Sequence, residues 1–453
     1  MITAIRNRFV NFFINGHERT LTAKKNIAMS FLVKGGSILI SLSLVPLTIN
    51  YVTPAQYGIW LTISSIIGWL NFFDIGLGNG LRNNLAYALA TGKVDEAKSY
   101  ISTTYIALTI VSSLLFCLLF VINPFINWHL VLNIPINELT NIQVITLIVI
   151  GCFCVQFVVQ TITIVLTATH QSAKASLIFL LSQFVVLITI FTISRHQNGS
   201  LLTLVTVLAG VPLLTLVLAT IYLYQHSLRY IAPSLKKVDF KYAKGLLKTG
   251  GIFFAIQIGA LILFQTNNII ITQVLGPAYV TTFNIAYKLF SVITMGFTII
   301  ITPLWSAFTD AYAKKDFEWI NACLQRMKKI WLGFTIATVC VLFLSPQIYS
   351  IWIGNRITVP ISLSVAIALY VVAYTWQTMH VFLLNGTGKV RLQLILVTLS
   401  ALLNIPLAIF LGKLYGLPGI ISANTIFFIG MGITFSIQCS LITKQTATKI
   451  WAR

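Results

Sequence analysis

Long apolar stretches alternate with short polar connections along almost the whole chain. Twelve stretches are long enough to cross the roughly 30 Å hydrocarbon core of a bilayer as a helix. They lie at about 27–51, 57–81, 99–123, 139–169, 175–194, 201–224, 249–275, 279–309, 330–352, 358–384, 392–412 and 418–442. Because hydrocarbon cannot satisfy exposed backbone groups, such runs form helices. The pattern predicts an all-α polytopic membrane protein with twelve transmembrane helices.

The composition supports this interpretation and excludes two other classes. Of the 453 residues, 57% are hydrophobic and only 9% are charged, whereas soluble domains average roughly 45–50% and about 25%. So few charges cannot cover the surface of a soluble enzyme, and so much apolar sequence does not stay disordered in water.

The charges are distributed unevenly between the two sides of the predicted membrane. The chain has 30 Lys and Arg against 9 Asp and Glu, a net charge of +21. Of the basic residues, 25 lie in the N-terminal arm, the even-numbered connections and the C-terminal tail, whereas the opposite side has only Arg195, Arg356 and Lys413. Cationic loops stay in the cytoplasm, so we expect both termini there. Contact with anionic lipids then accounts for the charge without a nucleic-acid partner.

The chain divides into two halves that share local features. Lys34-Gly35-Gly36 in the first span has a counterpart in Lys248-Thr249-Gly250-Gly251 at the start of the seventh, and Pro54-Ala55 has one in Pro277-Ala278. Six spans precede the longest basic connection and six follow it. This duplication predicts two six-helix lobes around a central cavity, the architecture that carriers use for alternating access.

The predicted boundaries follow from the spans. The N-lobe covers 27–224, a basic cytoplasmic connection covers 225–248, the C-lobe covers 249–442, and 443–453 is a cytoplasmic tail. Residues 1–26 place Ile5, Phe9 and Phe12 at helical spacing beside basic residues. That pattern indicates an amphipathic helix on the cytoplasmic leaflet, with a frayed basic tail as the alternative.

Three charged residues lie inside predicted spans, where a charge is expensive and marks a functional site by default. Lys34 and Asp74 lie at similar depths, so a structural ion pair between them is one interpretation. Asp74 is also the first candidate for coupling transport to an ion. Lys288 has no acid near its depth in the second half. An anionic substrate would supply its counter-ion, unless the side chain snorkels to the interface.

Polar amides accompany these charges. Asn267 and Asn268 lie in the seventh span, and Asn79 lies near Arg82 at the end of the second. Interhelical hydrogen bonds account for many such residues. Their concentration in the first two helices of each half favours a water-filled cleft.

No pattern typical of an enzyme appears. The segment Gly76-Leu77-Gly78-Asn79-Gly80 lacks the Lys-Ser/Thr of a phosphate-binding loop. The pair Cys152 and Cys154 has no nearby His or carboxylate with which to bind a metal. We therefore expect no catalytic residues, no cofactor and no metal.

The first two spans carry a family resemblance. The stretch from Phe31 to Leu47, then Tyr57-Gly58-Ile59-Trp60-Leu61-Thr62 and 73–83, is similar to the Wzx-type polysaccharide flippases of the multidrug/oligosaccharidyl-lipid/polysaccharide exporter superfamily. Lys34, Asp74 and Arg82 match charged positions of the family pattern. Many relatives have an Asp in the seventh span where this chain has Asn267-Asn268, which argues against a coupling carboxylate there.

The resemblance implies a carrier of the bacterial inner membrane that moves an undecaprenyl-pyrophosphate-linked oligosaccharide to the periplasmic leaflet. Its drive would be H⁺, Na⁺ or the membrane potential, and its partners a polysaccharide polymerase and a chain-length regulator. The cations Lys34, Arg82 and Lys288 suit a diphosphate, and Asn79, Asn267 and Asn268 suit sugar hydroxyls. The alternatives are a multidrug and toxin extrusion-type cation antiporter, and a non-transport scaffold of the polysaccharide assembly complex.

Overall fold

The structure is a computed structural model and is all-helical where it is described. It describes residues 18–70, 77–134, 141–169, 171–196, 199–241, 266–302, 304, 308, 311–312 and 314–452. Their α-helices are α1 Glu18–Tyr51, α2 Pro54–Leu70, α3 Leu77–Ala90, α4 Val94–Ile122, α5 Trp128–Val131, α6 Ile142–Val159, α7 Thr161–Ala168, α8 Ser172–His196, α9 Leu201–Gln225, α10 Asn267–Val274, α11 Pro277–Ile301, α12 Phe317–Trp352, α13 Ile361–Thr387, α14 Arg391–Tyr415 and α15 Leu417–Thr443. The prediction of an all-α membrane protein is confirmed.

Within these described ranges, ten helical segments are long and apolar enough to cross a membrane. They are α1 from Val33 onward, α4, the α6–α7 pair, α8, α9 and the five helices α11 to α15. The predicted second and seventh spans lie partly on 71–76 and 242–265, outside the described residues. The count of twelve therefore stays a prediction.

Helix α12 is much longer than the span predicted from its sequence. It has 36 residues, or about 54 Å at 1.5 Å per residue, against a hydrocarbon core of roughly 30 Å. The side chain of Asp316 caps its start by accepting a hydrogen bond from the Trp319 backbone N–H at 3.0 Å. Hydropathy placed the start at residue 330 because Lys328 and Lys329 are polar, but charge does not end a helix.

Two other predicted stretches differ in detail. The fourth span is divided at Gln160 into α6 and α7. Helix α1 starts at Glu18 and continues across the predicted boundary at residue 26. The candidate amphipathic positions of residues 1–17 lie outside the described residues.

The chain forms two compact units. Unit 1 comprises 1–51, 73–123 and 145–253, and unit 2 comprises 52–72, 124–144 and 254–453. The contacts thus place α2 with the second half of the chain, although its residues precede the predicted lobe boundary. The sequential lobes 27–224 and 249–442 stay a prediction.

In unit 1, the segment after α9 packs against α4. The Lys237 ammonium lies 2.7 Å from the Asp95 carboxylate at the start of α4. The Ser234 backbone N–H donates to Ser102 Oγ at 2.9 Å. This part of the predicted basic connection is therefore attached to one unit along its described length.

In unit 2, α2 packs closely along α11 at their first turns. The two helices begin with Pro54 and Pro277, so the paired Pro-Ala dipeptides of the sequence lie together. Thr281 Oγ1 donates to the Pro54 carbonyl at 2.6 Å. A Cβ added at Gly58 would lie 1.7 Å from the Pro277 carbonyl oxygen. Only glycine permits this approach.

We expect Gly58→Ala to destabilise unit 2. The added methyl group forces α2 and α11 apart, and such overpacking costs about 1–3 kcal/mol. Gly430→Ala on α15 is the matched control, because a Cβ there meets nothing within 4 Å. Thermal unfolding in detergent should show a lower midpoint for Gly58→Ala alone. Equal midpoints for the two variants would contradict the α2–α11 packing.

Candidate functional site

A cluster of four asparagines and one serine forms hydrogen bonds between four helices of unit 2. It consists of Ser65 on α2, Asn267 and Asn268 on α10, Asn284 on α11 and Asn424 on α15. Asn268 Nδ2 donates to Ser65 Oγ at 2.7 Å, and Asn284 Nδ2 donates to Asn268 Oδ1 at 2.9 Å. Asn424 Nδ2 donates to Asn267 Oδ1 at 2.9 Å. We call this group the amide cluster.

Hydroxyl and amide contacts continue from the cluster toward the C-terminal end of α10. The hydroxyls of Thr62 and Thr272 lie 2.6 Å apart. At the same turn of α10, Asn133 Nδ2 donates to the Thr272 carbonyl at 3.1 Å, and Gln273 Nε2 donates to the Leu130 carbonyl at 2.9 Å. Polar contacts therefore hold the eight-residue helix α10 in place from its first residue, Asn267, to Gln273.

Asn267 and Asn268, which the sequence analysis predicted to contact substrate, use their side-chain amides within this cluster. Asn267 is 8% exposed and bonded to α15, and Asn268 both donates and accepts within the protein. Both asparagines thus form hydrogen bonds between helices, the alternative role that the sequence allowed for such amides. The proposed substrate contacts of Asn267 and Asn268 stay a prediction.

Lys288 lies on α11 one helical turn beyond Asn284. It is half-buried and 11 residues from Pro277, which places it about 17 Å along the helix. No described carboxylate lies within 4.0 Å of its ammonium group. Asn284 of the amide cluster thus lies one turn from a lysine that has no counter-ion among the described carboxylates.

Aromatic side chains pack around Tyr287, the residue that precedes this lysine on α11. The Tyr287 ring lies 6.1 Å from the Tyr370 ring, and Tyr370 lies 5.4 Å from Phe428. Such rings combine apolar faces with a polar hydroxyl. Within about two turns, α11 therefore carries an amide, an aromatic side chain and a cation, residue types that can bind anionic and sugar-bearing groups.

The remaining predicted site residues lie elsewhere. Lys34 on α1 and Arg82 on α3 are exposed and belong to unit 1. Asn79 lies in α3, but its side chain is outside the described part, as is the whole of Asp74. The predicted Lys34–Asp74 ion pair therefore stays a prediction. Over the described ranges, no group of three or more His, Cys, Asp or Glu residues could hold a metal.

Sequence reasoning missed Ser65, Asn284 and Asn424. These residues lie up to 203 positions from their partners, so no local pattern reveals their pairing. The one available signal was the i, i+4 spacing of Asn284 and Lys288, which puts both on one helix face.

The chain is similar to proteins of polysaccharide export. A family model described as polysaccharide biosynthesis protein matches residues 23–308. An O-antigen export protein of Yersinia pseudotuberculosis is 24% identical over 85% of this chain and 88% of its own length. An O-antigen transporter of Salmonella typhi is 25% identical over 81% and 84%. These relatives are named as transport proteins rather than enzymes, in agreement with the prediction that the chain is not an enzyme.

Solved transporter structures share the fold. An inward-facing multidrug resistance MATE family transporter of the MOP superfamily matches with a TM-score of 0.73 and 15% identity, over 90% of this chain and 96% of that one. A MOP superfamily transporter from Pyrococcus furiosus matches with a TM-score of 0.62 and 14% identity, over 97% and 98%. The chain therefore shares the fold of these transporters.

We expect Asn267 and Asn424 to be energetically coupled. Double-mutant cycles on interhelical hydrogen bonds in membranes average about 0.6 kcal/mol, with a maximum of about 1.7 kcal/mol. The cycle of Asn267→Ala with Asn424→Ala, measured as free energy of unfolding in detergent, should give a coupling of this size.

The control cycle pairs Asn267→Ala with Asn404→Ala. Asn404 on α14 is equally an asparagine of unit 2, is 0% exposed and has no hydrogen-bond partner among the described residues. Its effect should add to that of Asn267. Additive behaviour in the first cycle as well would contradict the bond between α10 and α15.

Proposed function

Because the chain belongs to the polysaccharide biosynthesis protein family, we propose that it is a flippase for a lipid-linked oligosaccharide. Its substrate is an oligosaccharide repeat unit on undecaprenyl pyrophosphate, carried from the cytoplasmic to the periplasmic leaflet for an O-antigen-like polysaccharide. Relatives named as O-antigen exporters and transporters support this function. The multi-pass helical fold supports a membrane carrier. We place it in the bacterial inner membrane, and the charge of its loops places both termini in the cytoplasm.

The observation that carries the proposal is Lys288. A half-buried cation in an apolar helix, without a carboxylate within 4.0 Å among the described residues, requires an anionic partner or a path to water. A diphosphate meets that requirement with charge-assisted hydrogen bonds. The amide cluster holds α11 in position through Asn284.

The other residues have assigned roles in this proposal. Lys34 and Arg82 add positive charge for the diphosphate, and Asn79, Asn267 and Asn268 contact sugar hydroxyls. Asp74 couples the cycle to H⁺ or Na⁺, and rocking of the two predicted lobes alternates access between the leaflets. Anionic lipids, the polymerase and the chain-length regulator are the expected partners.

Depletion of the protein in cells tests the function directly. Lipid-linked oligosaccharide should accumulate on the cytoplasmic leaflet, and surface polysaccharide should be lost. Leaflet sidedness is read with an impermeant glycan-modifying reagent on oriented vesicles. Normal surface polysaccharide after depletion would overturn the proposal, and efflux of organic cations would then support the antiporter alternative.

Lys288 variants separate transport from scaffolding. In depleted cells, we expect Lys288→Gln to reduce restored export at least about tenfold, since a hydrogen bond to a charged group contributes about 1.5–3 kcal/mol. Lys288→Arg should retain more export because it keeps the charge.

The control is Lys413→Gln, which removes an exposed lysine from the last turn of α14. This variant should export normally. Full export by Lys288→Gln, at equal protein levels, would remove Lys288 from the site and favour the scaffold.

A further inference from the structure

An apolar groove lies along α12, α13 and α15 of unit 2. Its volume is about 350 Å³, and its lining includes Trp331, Leu369, Trp376, Thr425 and Ile433. Leu369 and Ile433 are 58% and 55% exposed at its rim. In a membrane such a rim faces hydrocarbon, so the groove is open to lipid.

The aromatic wall of the groove is fixed by close packing. The rings of Trp331 and Trp376 lie 4.7 Å apart in an edge-to-face arrangement, and Trp331 Nε1 donates to the Val372 carbonyl at 3.3 Å. A Cβ added at Gly432 would lie 2.6 Å from the Trp376 ring. The shape of the groove is therefore set by the packing of three helices and does not depend on the rotamer of one side chain.

The groove is slightly shorter than the hydrocarbon part of one leaflet. Its lining runs from Thr425 to Ile433 on α15 and from Leu369 to Trp376 on α13, which is about 11–12 Å at 1.5 Å per residue. Half of the hydrocarbon core is about 15 Å. One acyl chain of a single leaflet fits this dimension, whereas an undecaprenyl chain is much longer.

A lysine lies at the tryptophan end of the groove. Lys328 is three residues before Trp331, on the same face of α12, and is half-buried. It interacts electrostatically with His380 on α13 and Cys439 on α15, so it lies near all three helices that form the groove. Within the described part of the chain, no carboxylate lies within 4.0 Å of it.

Basic residues outnumber acidic ones at the same end of unit 2, where Asp316 and Glu318 begin α12. The ends of these helices and their connections there also carry Arg326, Lys329, Lys389, Arg391 and Lys444. The charge distribution of the loops predicts that this end faces the cytoplasm. The surface potential of that leaflet comes from anionic lipid.

We propose that the groove binds one anionic glycerophospholipid of the cytoplasmic leaflet. One acyl chain lies against Trp331 and Trp376, and the phosphate lies at Lys328. The bound lipid joins α12, α13 and α15. The site is separate from Lys288 and does not depend on the proposed transport function.

Fluorescence quenching by brominated lipids tests the site in the full-length protein. The groove signal is the part of the tryptophan quenching that disappears in Trp376→Phe. In phosphatidylcholine vesicles, this signal should reach half its maximum at about fivefold less brominated phosphatidylglycerol than brominated phosphatidylcholine, since one lysine near the surface contributes about 1 kcal/mol. In Lys328→Gln the two lipids should become equal.

Lys329→Gln is the matched control. It removes the same charge from the next residue of the same helix, which is exposed and lies about 100° around the helix. It should keep the preference for phosphatidylglycerol. Equal quenching by the two lipids in the wild type, or equal loss in both lysine variants, would overturn the proposal.

Native mass spectrometry gives a second measurement. The wild type and Lys329→Gln should retain one more phosphatidylglycerol than Lys328→Gln. Displacement of the groove signal by undecaprenyl phosphate at lower concentration than phosphatidylglycerol would assign the groove to the carrier lipid and contradict the proposed occupant.

Discussion

Hydrocarbon supplies no hydrogen bonds, and this constraint determines how unit 2 is held together. A polar side chain on its inner helices costs free energy unless it bonds to another part of the protein or to a ligand. Ser65, Asn268 and Asn284 satisfy one another across α2, α10 and α11, and Asn267 reaches α15 through Asn424. The contact between α2 and α11 at Gly58 gives these short side chains the proximity that they need.

The same constraint distinguishes two lysines of unit 2. Lys288 and Lys328 are both half-buried, and neither has a carboxylate within 4.0 Å in the described ranges. Their surroundings differ. Lys288 shares α11 with Asn284 and Tyr287, which suit a polar head with sugars. Lys328 lies three residues before Trp331 of the apolar groove, which suits a phosphate with an acyl chain. The two lysines thus lie in a polar and in an apolar setting of the same unit.

Most of the fold could be predicted from the sequence because span length and loop charge are local properties. Hydropathy located α8, α9 and α13 to α15 closely, and it marked Lys288 and Asn268 as unusual. It missed the extension of α12, since charged residues continue a helix outside the bilayer. It also missed Asn424, because its pairing with Asn267 spans 157 positions. The groove at Trp331 requires three helices, and no single stretch of sequence contains it.

The placement of α2 with later helices has a consequence for biosynthesis. Thr62 and Thr272 are 210 positions apart, so at about 5–20 residues per second the ribosome makes α2 roughly 10–40 s before its partner. During that interval the Thr62 hydroxyl can donate to the Gly58 carbonyl and Ser65 to the Leu61 carbonyl, at 2.9 and 2.8 Å within the same helix. Serine and threonine hydroxyls are therefore suited to this early helix, because they remain satisfied alone in the membrane until α10 and its asparagines are inserted.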